Sequence, residues 1–238
     1  YVYFSTPELF GNGNASIAVR NSKDVILWSW HIWCSEEGWN DHVYPNNAGT
    51  MMDRNLGATS ATPGDVGAFG LLYQWGRKDP FMGACAISGT TLAASTGSWT
   101  TIQSYQTVDY AEENPMTYIG SLSGDWCTGT VAYESDYTKR WMESKKTMYD
   151  PCPVGYRVPD GGENGFWAIA NVKSTGDYTN HGMYWTLADG ETTAWYPAVG
   201  YRSYNSGSLS DVGAHGYCWS TSPHPGSTDL AYDLSFYY

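Results

Sequence analysis

Alternating apolar and polar positions predict the first strand of the chain. Residues 25–33 have the sequence VILWSWHIW, in which Trp28, Trp30 and Ile32 alternate with polar residues. A period of two places the two sets of side chains on opposite faces of an extended segment, so the stretch predicts a β-strand. A second strand is expected at residues 50–56.

Apolar residues at close to helical spacing predict two short helices. Residues 65–77 carry Val66 and Phe69 on one side, and Asp65 stands where an N-cap is expected. Residues 164–172 supply a second apolar face of this kind. The glycines within the first segment weaken its helical propensity.

The rest of the chain predicts short strands joined by turns and loops. Residues 83–135 are rich in Gly, Ser and Thr and show no sustained periodicity, so a long loop region with short strands is expected there. Further strands are expected at residues 155–158, 183–188, 194–201, 217–222 and 230–236. The pattern as a whole predicts one β-rich α+β domain over residues 1–238, with residues 1–24 as an N-terminal extension.

The charge balance disfavours two classes of partner. Twelve Lys and Arg residues against 24 Asp and Glu give a formal net charge of −12, which repels nucleic-acid phosphates and anionic lipid surfaces. No apolar run reaches the roughly 20 residues that a membrane-spanning helix needs, so membrane insertion is not expected. A charged fraction of only 15% is typical of an extracellular module, and the start without Met predicts a mature fragment whose targeting segment has been removed.

The segment 194–238 is rich in both aromatic rings and small polar residues. Tyr supplies a large, stiff contact area, while Ser, Asn and Gly supply adaptable hydrogen bonding, as in other recognition surfaces. The whole chain has 12 Trp and 20 Tyr against 6 Phe, an excess of rings that carry a polar group. This composition predicts that the C-terminal part of the chain binds a ligand.

Three segments together resemble a known family. They are residues 52–77 with the following KDPF, the DPCPVGYRVP run at residues 150–159, and residues 196–223. In combination they resemble the FISUMP domain (Fibrobacter succinogenes major paralogous domain) of fimbrillin-like surface proteins in Bacteroides-type bacteria, over most of residues 25–236. The resemblance implies a C-type-lectin-like fold with two short helices, small antiparallel sheets and long loops, exposed at the cell surface, at a fimbrial tip or on a phage virion.

The resemblance also implies a division of the C-terminal segment into scaffold and binding face. Related lectin-fold domains are the variable proteins of diversity-generating retroelements, in which solvent-facing C-terminal positions vary on a fixed frame. The implied scaffold positions are Pro197, Gly200, Tyr201, Arg202, Gly207, Leu209, Val212, Gly213, Gly216, Tyr217 and Trp219. The candidate ligand-binding residues are Ser203, Tyr204, Asn205, Ser208, Ser210, Asp211, His215, Thr221, His224, Asp229 and Tyr232. The family pattern continues to a further strand with an Arg-Cys pair that this sequence does not reach, which leaves the partner of Cys152 open.

Motifs for catalysis and metal binding are weak. The runs Trp39-Asn40-Asp41 and Glu112-Glu113-Asn114-Pro115 superficially resemble the calcium motifs of lectins, but in reversed order, and coincidence in an acidic chain explains them better. A formylglycine-generating enzyme uses a pair of cysteines, and the candidates here are Cys85, Cys127 and Cys218. None of them has a base or a metal-ligand spacing nearby in the sequence. No catalytic residue, metal or other cofactor is therefore predicted.

Arg54 and Arg157 are each expected to pair with a buried carboxylate such as Asp53 or Asp150.

The sequence thus favours a non-enzymatic, extracellular ligand-binding or adhesion domain that presents its C-terminal surface to a glycan or protein on a host or neighbouring cell. The alternative is a structural fimbrial or phage-tail subunit that packs through the same surface. An enzyme of the formylglycine-generating or carbohydrate-active kind is the third interpretation.

Overall fold

The computed structural model describes residues 2–8, 11–88, 91–94, 99–122, 124–127, 140–187, 193–227 and 230–238. These residues form mainly small antiparallel sheets with two short α-helices, an arrangement compatible with the predicted α+β class. None of the helices they form is both long and apolar enough to cross a lipid bilayer.

The strands are short and pair mostly with their neighbours in sequence. They are β1 (Gly13–Arg20), β2 (Ile26–Cys34), β3 (Asp41–Tyr44), β4 (Gly49–Met52), β5 (Leu71–Leu72), β6 (Phe81–Met82), β7 (Ala84–Ser88), β8 (Thr91–Ala94), β9 (Thr100–Gln103), β10 (Thr117–Gly120), β11 (Lys173–Thr179), β12 (Gly182–Thr186), β13 (Thr193–Pro197), β14 (Tyr201–Arg202), β15 (Leu209–Ser210), β16 (His215–Pro223) and β17 (Ala231–Tyr237). The helices are α1 (Val108–Glu113) and α2 (Phe166–Ala170). Strands β11, β12 and β13 form a three-stranded sheet, and β9 pairs with β10 in parallel.

The strands predicted from strict alternation are confirmed. The predicted strand at residues 25–33 is β2, which pairs antiparallel with β1 so that Trp30 lies opposite Ile17. Strand β1 lies within the predicted N-terminal extension and completes this hairpin. The predicted strands in the last third of the sequence correspond to β12, β13, β16 and β17.

The helix predicted at residues 65–77 is wrong. Asp65 is an N-cap as expected, and its carboxylate accepts the Gly67 amide at 2.9 Å, but only a single 3₁₀ turn follows at Val66–Ala68. Gly70 then adopts a φ of +70°, which ends the turn and leads into β5. The strand predicted at residues 50–56 is also shorter, because β4 ends at Met52.

One helix lies where only loops were predicted. The hydroxyl of Thr107 caps α1 by accepting the Tyr110 amide, and Ala111 is buried against the core. The second predicted helix is confirmed in a shorter form as α2. The number of helices agrees with the prediction, but one of the two positions does not.

The strand predicted at residues 155–158 is also wrong. The buried carboxylate of Asp150 accepts the backbone amides of Cys152 and Val158, each at 2.9 Å, and folds the segment into a loop. Gly155 has a φ of +92°, and the flanking prolines lack an amide for a strand ladder. This proline-rich segment therefore packs as a loop against the C-terminal strands.

Two clusters of buried side chains form the core. The first joins β3, α2, β12, β13 and β17, and its buried members are Tyr44, Ala170, Met183, Trp185, Leu187, Ala194, Tyr196, Ala198 and Phe236. The second joins the central segments, and its buried members are Trp75, Ala111, Ile119, Trp126, Cys127, Trp141 and Val158. Tryptophan and tyrosine therefore fill much of the space that aliphatic residues occupy in other proteins.

Buried arginines lie between these rings. Arg77 is 3% exposed, donates to the Thr117 carbonyl and to the Gln74 side chain at 2.8 Å each, and lies 5.1 Å from the Phe81 ring centre. Burial lowers the pKa of Arg77 to about 10, so the guanidinium stays charged at neutral pH. Backbone carbonyls and ring faces together compensate this buried charge.

Candidate functional site

A cleft of about 1050 Å³ opens between the β3–β4 hairpin, the segment after β5, the proline-rich loop and the C-terminal hairpin. Its volume is at the upper end of the roughly 300–1,000 Å³ found for small-molecule sites. The aromatic side chains that line it are Tyr44, Tyr73, Trp75, Phe81, Tyr118, Trp126, Trp141, Tyr156, Phe166, Trp167, Trp195, Tyr196, Tyr201, Tyr204, Tyr217 and Trp219. The cleft thus combines an apolar, ring-rich wall with access from solvent.

One wall of the cleft is the outward face of the β16–β17 hairpin. Alternation along β16 places Tyr217 and Trp219 on the same face, about 6.6 Å apart along the strand. These two side chains are 36% and 40% exposed, whereas Phe236 on the opposite face of the hairpin is buried in the core. The register brings Asp233 of β17 directly opposite Trp219.

A turn carrying Tyr204 continues this wall. The Tyr204 side chain is 51% exposed, while its carbonyl accepts the Ser121 amide at 2.9 Å. The Tyr118 hydroxyl donates to the Arg202 carbonyl at 3.2 Å. The Tyr201 ring packs edge-on against Tyr217 with 5.6 Å between ring centres. Hydrogen bonds therefore fix the backbone of the turn, while the rings of Tyr201 and Tyr204 line the cleft.

Trp219 connects the hairpin to the opposite side of the cleft. Its indole N–H donates to the Tyr73 carbonyl at 3.0 Å, which holds the edge of the ring while leaving a face exposed. The Tyr73 hydroxyl is buried and has no hydrogen-bond partner among the described residues. Burial raises the pKa of Tyr73 well above its ordinary value, so this hydroxyl stays protonated.

The far wall carries a second group of rings around Tyr156. The Tyr156 hydroxyl donates to the Asp41 carboxylate at 2.5 Å and accepts the Trp39 indole N–H at 3.3 Å. The Trp39 ring stacks on Trp33 with 5.2 Å between ring centres. Asp41, which belongs to the superficial calcium motif, is thus engaged with a tyrosine. Among the described residues, no group of three or more His, Cys, Asp or Glu side chains is arranged for metal binding.

Arg54 and Arg157 both pair with carboxylates, as predicted, but the partner of Arg157 is not Asp150. Arg54 binds Asp53 at 2.7 Å, and both side chains are less than 10% exposed. Arg157 instead binds Asp160 at 2.6 Å, because Asp150 is directed at backbone amides and Lys146.

Asp160 joins the proline-rich loop to β16. Its carboxylate accepts the Arg157 guanidinium, the Ser144 amide and the Thr221 hydroxyl. Burial raises the pKa of Asp160, but these hydrogen bonds outweigh it, and the net pKa lies below the ordinary value. The contacts hold the back of the C-terminal hairpin in place.

We expect this carboxylate to make the protein sensitive to acid. A depressed folded-state pKa means that the stabilisation is present above the unfolded pKa of about 3.9 and is lost as the pH falls through the folded value. Solvent screening limits the loss to about 1 kcal/mol, because the group is partly exposed. Urea unfolding between pH 6 and pH 2.5 should show a shallower decline for Asp160→Asn than for the wild type; equal declines would contradict this role.

The thiols near the cleft are protonated. Burial, with Asp233 nearby, raises the pKa of Cys218 to about 12, and burial raises the pKa of Cys152 well above its ordinary range. Cys127 is buried in the second core cluster. The thiolate is the reactive form, so these environments disfavour nucleophilic chemistry. The third cysteine proposed for such chemistry, Cys85, has a side chain outside the described part of the structure.

The structure brings only part of the predicted binding face to the cleft. Of the candidates, Tyr204 lines it directly. The other exposed or partly exposed candidates on the C-terminal turns and on β15 and β16 lie outside its lining, namely Ser203, Asn205, Ser208, Ser210, Asp211, His215 and His224. His215 still belongs to the same hairpin face, where its Nδ1 lies 3.1 Å from the Tyr217 hydroxyl. Asp229 lies outside the described residues.

Thr221 is too buried to be a binding residue, and Tyr232 lies away from the cleft. Thr221 is 1% exposed and donates to Asp160, so it belongs to the internal support of the hairpin. Tyr232 is half-buried outside the cleft lining, and its ring contacts His224 with 4.9 Å between ring centres. The pleat explains Tyr232, because it alternates with Asp233 on β17. Thr221 lies within the register irregularity between Trp219 and Pro223, where the alternation of β16 no longer holds.

Sequence reasoning missed three rings and one carboxylate of the cleft. Tyr201, Tyr217 and Trp219 were expected in the scaffold, and Asp233 was not considered. The two-residue period of His215, Tyr217 and Trp219 could have revealed an aromatic face on β16, because residues i, i+2 and i+4 share one side of a strand.

No protein-family model, curated protein or solved structure matches this chain.

Proposed function

We propose that the chain is a non-enzymatic recognition domain that binds a glycan or protein ligand in the ring-lined cleft. The observation that carries the proposal is the row of partly exposed rings from the C-terminal segment along the cleft wall, Tyr201, Tyr204, Tyr217 and Trp219. A large apolar pocket with a few polar groups is the usual form of a binding site, and exposed rings serve as rigid anchors.

The chemistry around the cleft supports binding over catalysis. The Cys218 thiol carries a pKa of about 12, so it stays protonated at neutral pH. Asp53 and Asp125 are paired with arginines, and Asp41 accepts the Tyr156 hydroxyl. A general base or nucleophile needs a group that is free to exchange a proton, and these groups are held by partners. Asp233 has no ion pair among the described residues, but the other carboxylates that line the cleft are engaged, so it has no free second carboxylate to act with.

The proposal also includes a location for the domain outside the cell. The acidic, weakly charged composition and the three segments that resemble FISUMP domains support an extracellular or surface location, at a fimbrial tip or on a phage virion. They also support a C-type-lectin-like arrangement of the small sheets. The partner would then be a glycan or protein of a host or neighbouring cell, with other fimbrial or tail subunits as further contacts.

An array of immobilised glycans and surface proteins tests the proposal. We expect the wild type to bind at least one class of probe, and Tyr204→Ala to weaken that binding about tenfold or more, since a cleft ring is lost. Tyr232→Ala should have a smaller effect, because Tyr232 does not line the cleft.

Equal losses for the two variants would favour a dispersed loop surface over the cleft. No binding to any probe, together with concentration-dependent oligomers in sedimentation, would favour the structural-subunit alternative. In that case the recognition proposal would be overturned.

A further inference from the structure

Most of the charges in the cleft wall are paired within the protein. Seven carboxylates and guanidinium groups line the cleft in the described part of the chain: Asp41, Asp53, Arg54, Asp125, Arg157, Arg202 and Asp233. His42 lines it as well. Arg54 forms an ion pair with Asp53, and Asp125 forms one with the buried Arg140. Asp41 accepts the Tyr156 hydroxyl at 2.5 Å.

The cleft arginines already donate hydrogen bonds to acceptors within the protein. Arg157 forms a two-pronged contact with Asp160, at 2.6 and 2.8 Å. Arg202 donates to the carbonyls of Met82 and Gly207, and its guanidinium lies 3.9 Å from the Trp99 ring centre. An anionic ligand would therefore meet a wall whose positive groups are already bound, in a protein of net charge −12.

Asp233 differs from the other cleft carboxylates. None of the described cations forms an ion pair with it, and it is only partly exposed. It lies opposite Trp219 in the β16–β17 ladder. Burial raises its pKa, so at neutral pH the charged carboxylate is held in an unfavourable place. A charged group that costs stability and has no ion-pair partner among the described residues is a candidate for a functional role.

We propose that the cleft binds an uncharged polysaccharide, with Asp233 accepting hydrogen bonds from two neighbouring hydroxyls of one sugar while Trp219 and Tyr217 pack against the C–H faces of the chain. This inference rests on the proposed recognition function and assigns its ligand class. A neutral sugar polymer supplies hydroxyl donors for one carboxylate and flat apolar faces for the rings. It needs no cation from the wall, which matches the charges described above.

A basic peptide fits the same wall less well. Several Lys or Arg side chains would each need a carboxylate, and in the described lining three of the four carboxylates are already engaged. A lone carboxylate bordered by exposed rings matches a polyhydroxylated ligand better. Peptide binding is accordingly one of the outcomes that the experiment separates.

Native affinity electrophoresis tests the ligand class directly. The gels contain one soluble polymer each: laminarin, yeast mannan, galactomannan, xyloglucan or dextran as neutral chains, heparin or polygalacturonate as anionic chains, and polylysine as a cationic peptide. We expect at least one neutral polymer to retard the wild type and the anionic polymers to leave its mobility unchanged. Asp233→Asn should raise the dissociation constant for that polymer at least tenfold.

A matched variant and a stability measurement complete the test. Asp177→Asn removes one negative charge from an exposed position on β11 outside the cleft, so its mobility is an equal-charge reference. Without ligand, Asp233→Asn should raise Tm at neutral pH, because a carboxylate with a raised folded-state pKa is destabilising once it is charged. Asp177→Asn should leave Tm unchanged.

The outcomes separate the ligand class from the recognition function. Retardation only by heparin, polygalacturonate or polylysine, or array binding to proteins alone, would overturn the neutral-polysaccharide inference and leave recognition standing. Undiminished retardation of Asp233→Asn by the neutral polymer would overturn the role of Asp233. Failure on all polymers and on the array would overturn both proposals.

Discussion

Replacing Arg140 by alanine is expected to lower the free energy of unfolding by about 3–5 kcal/mol. The Arg140 side chain is 6% exposed and holds both carboxylate oxygens of Asp125, at 3.0 and 3.1 Å. It also donates to the Trp75 carbonyl at 2.7 Å and lies 4.3 Å from the Trp75 ring centre. Alanine removes the cation that pairs with Asp125, leaves the Trp75 carbonyl with only its hydrogen bond from the Trp126 indole, and opens a cavity between two indoles. The loss is a large share of the about 5–15 kcal/mol that stabilises a typical domain.

Arg20→Ala is the matched control for this experiment. Arg20 also pairs with an aspartate, Asp24 at 3.3 Å, but the two side chains are 50% and 85% exposed. An exposed pair contributes about 0–1 kcal/mol, so this variant should unfold close to the wild type in urea. Similar midpoints for Arg20→Ala and Arg140→Ala would contradict the structural role of the buried arginine.

Removing both rings from the outward face of β16, with Tyr217→Ala and Trp219→Ala together, is expected to weaken ligand binding by at least about 30-fold. A central aromatic anchor contributes about 2 kcal/mol or more, which corresponds to roughly that factor. Both side chains are more than a third exposed, so folding should largely survive their loss. The measurement is the dissociation constant for the best array probe, with urea unfolding of the same preparation.

Tyr105→Ala is the control for the ring variants. Tyr105 has the same exposed fraction as Tyr217, 36%, but does not line the cleft. Its replacement should leave affinity within about twofold of the wild type. Equal losses in Tyr105→Ala and the double variant would show that general surface aromaticity, and not the cleft, determines binding.

Sequence patterns located strands such as β2, β16 and β17, because alternation and β-branched or aromatic residues mark an extended segment. They did not predict which residues are buried, because Ser29 of β2 and Ser220 of β16 are buried while Trp219 is 40% exposed. The helix at residues 65–77 failed for a physical reason that spacing hides: Gly70 and Gly76 adopt positive φ, which ends any helix. Helix α1 was missed because its six residues are too few for a periodic signal.

The candidate site was less predictable than the strands. Residue type alone could not separate Tyr204, whose ring faces the cleft, from Tyr232, which packs beside His224. Asp233 could not be identified because its significance lies in having no ion pair among the described residues, where Arg54, Arg140 and Arg157 bind other carboxylates. Such pairing depends on contacts between distant segments, which no local pattern encodes.

The indole N–H signals in a ¹⁵N-resolved NMR titration test the central claim most directly. The titrant is the strongest array probe, and Trp219→Phe assigns the Trp219 signal. Binding in the cleft predicts that this signal shifts and saturates with the dissociation constant from the array, while the signal of Trp185, which is 9% exposed and lies outside the cleft lining, shifts less. A Trp219 signal that stays in place while that of Trp33, outside the cleft lining, shifts to saturation would contradict the account.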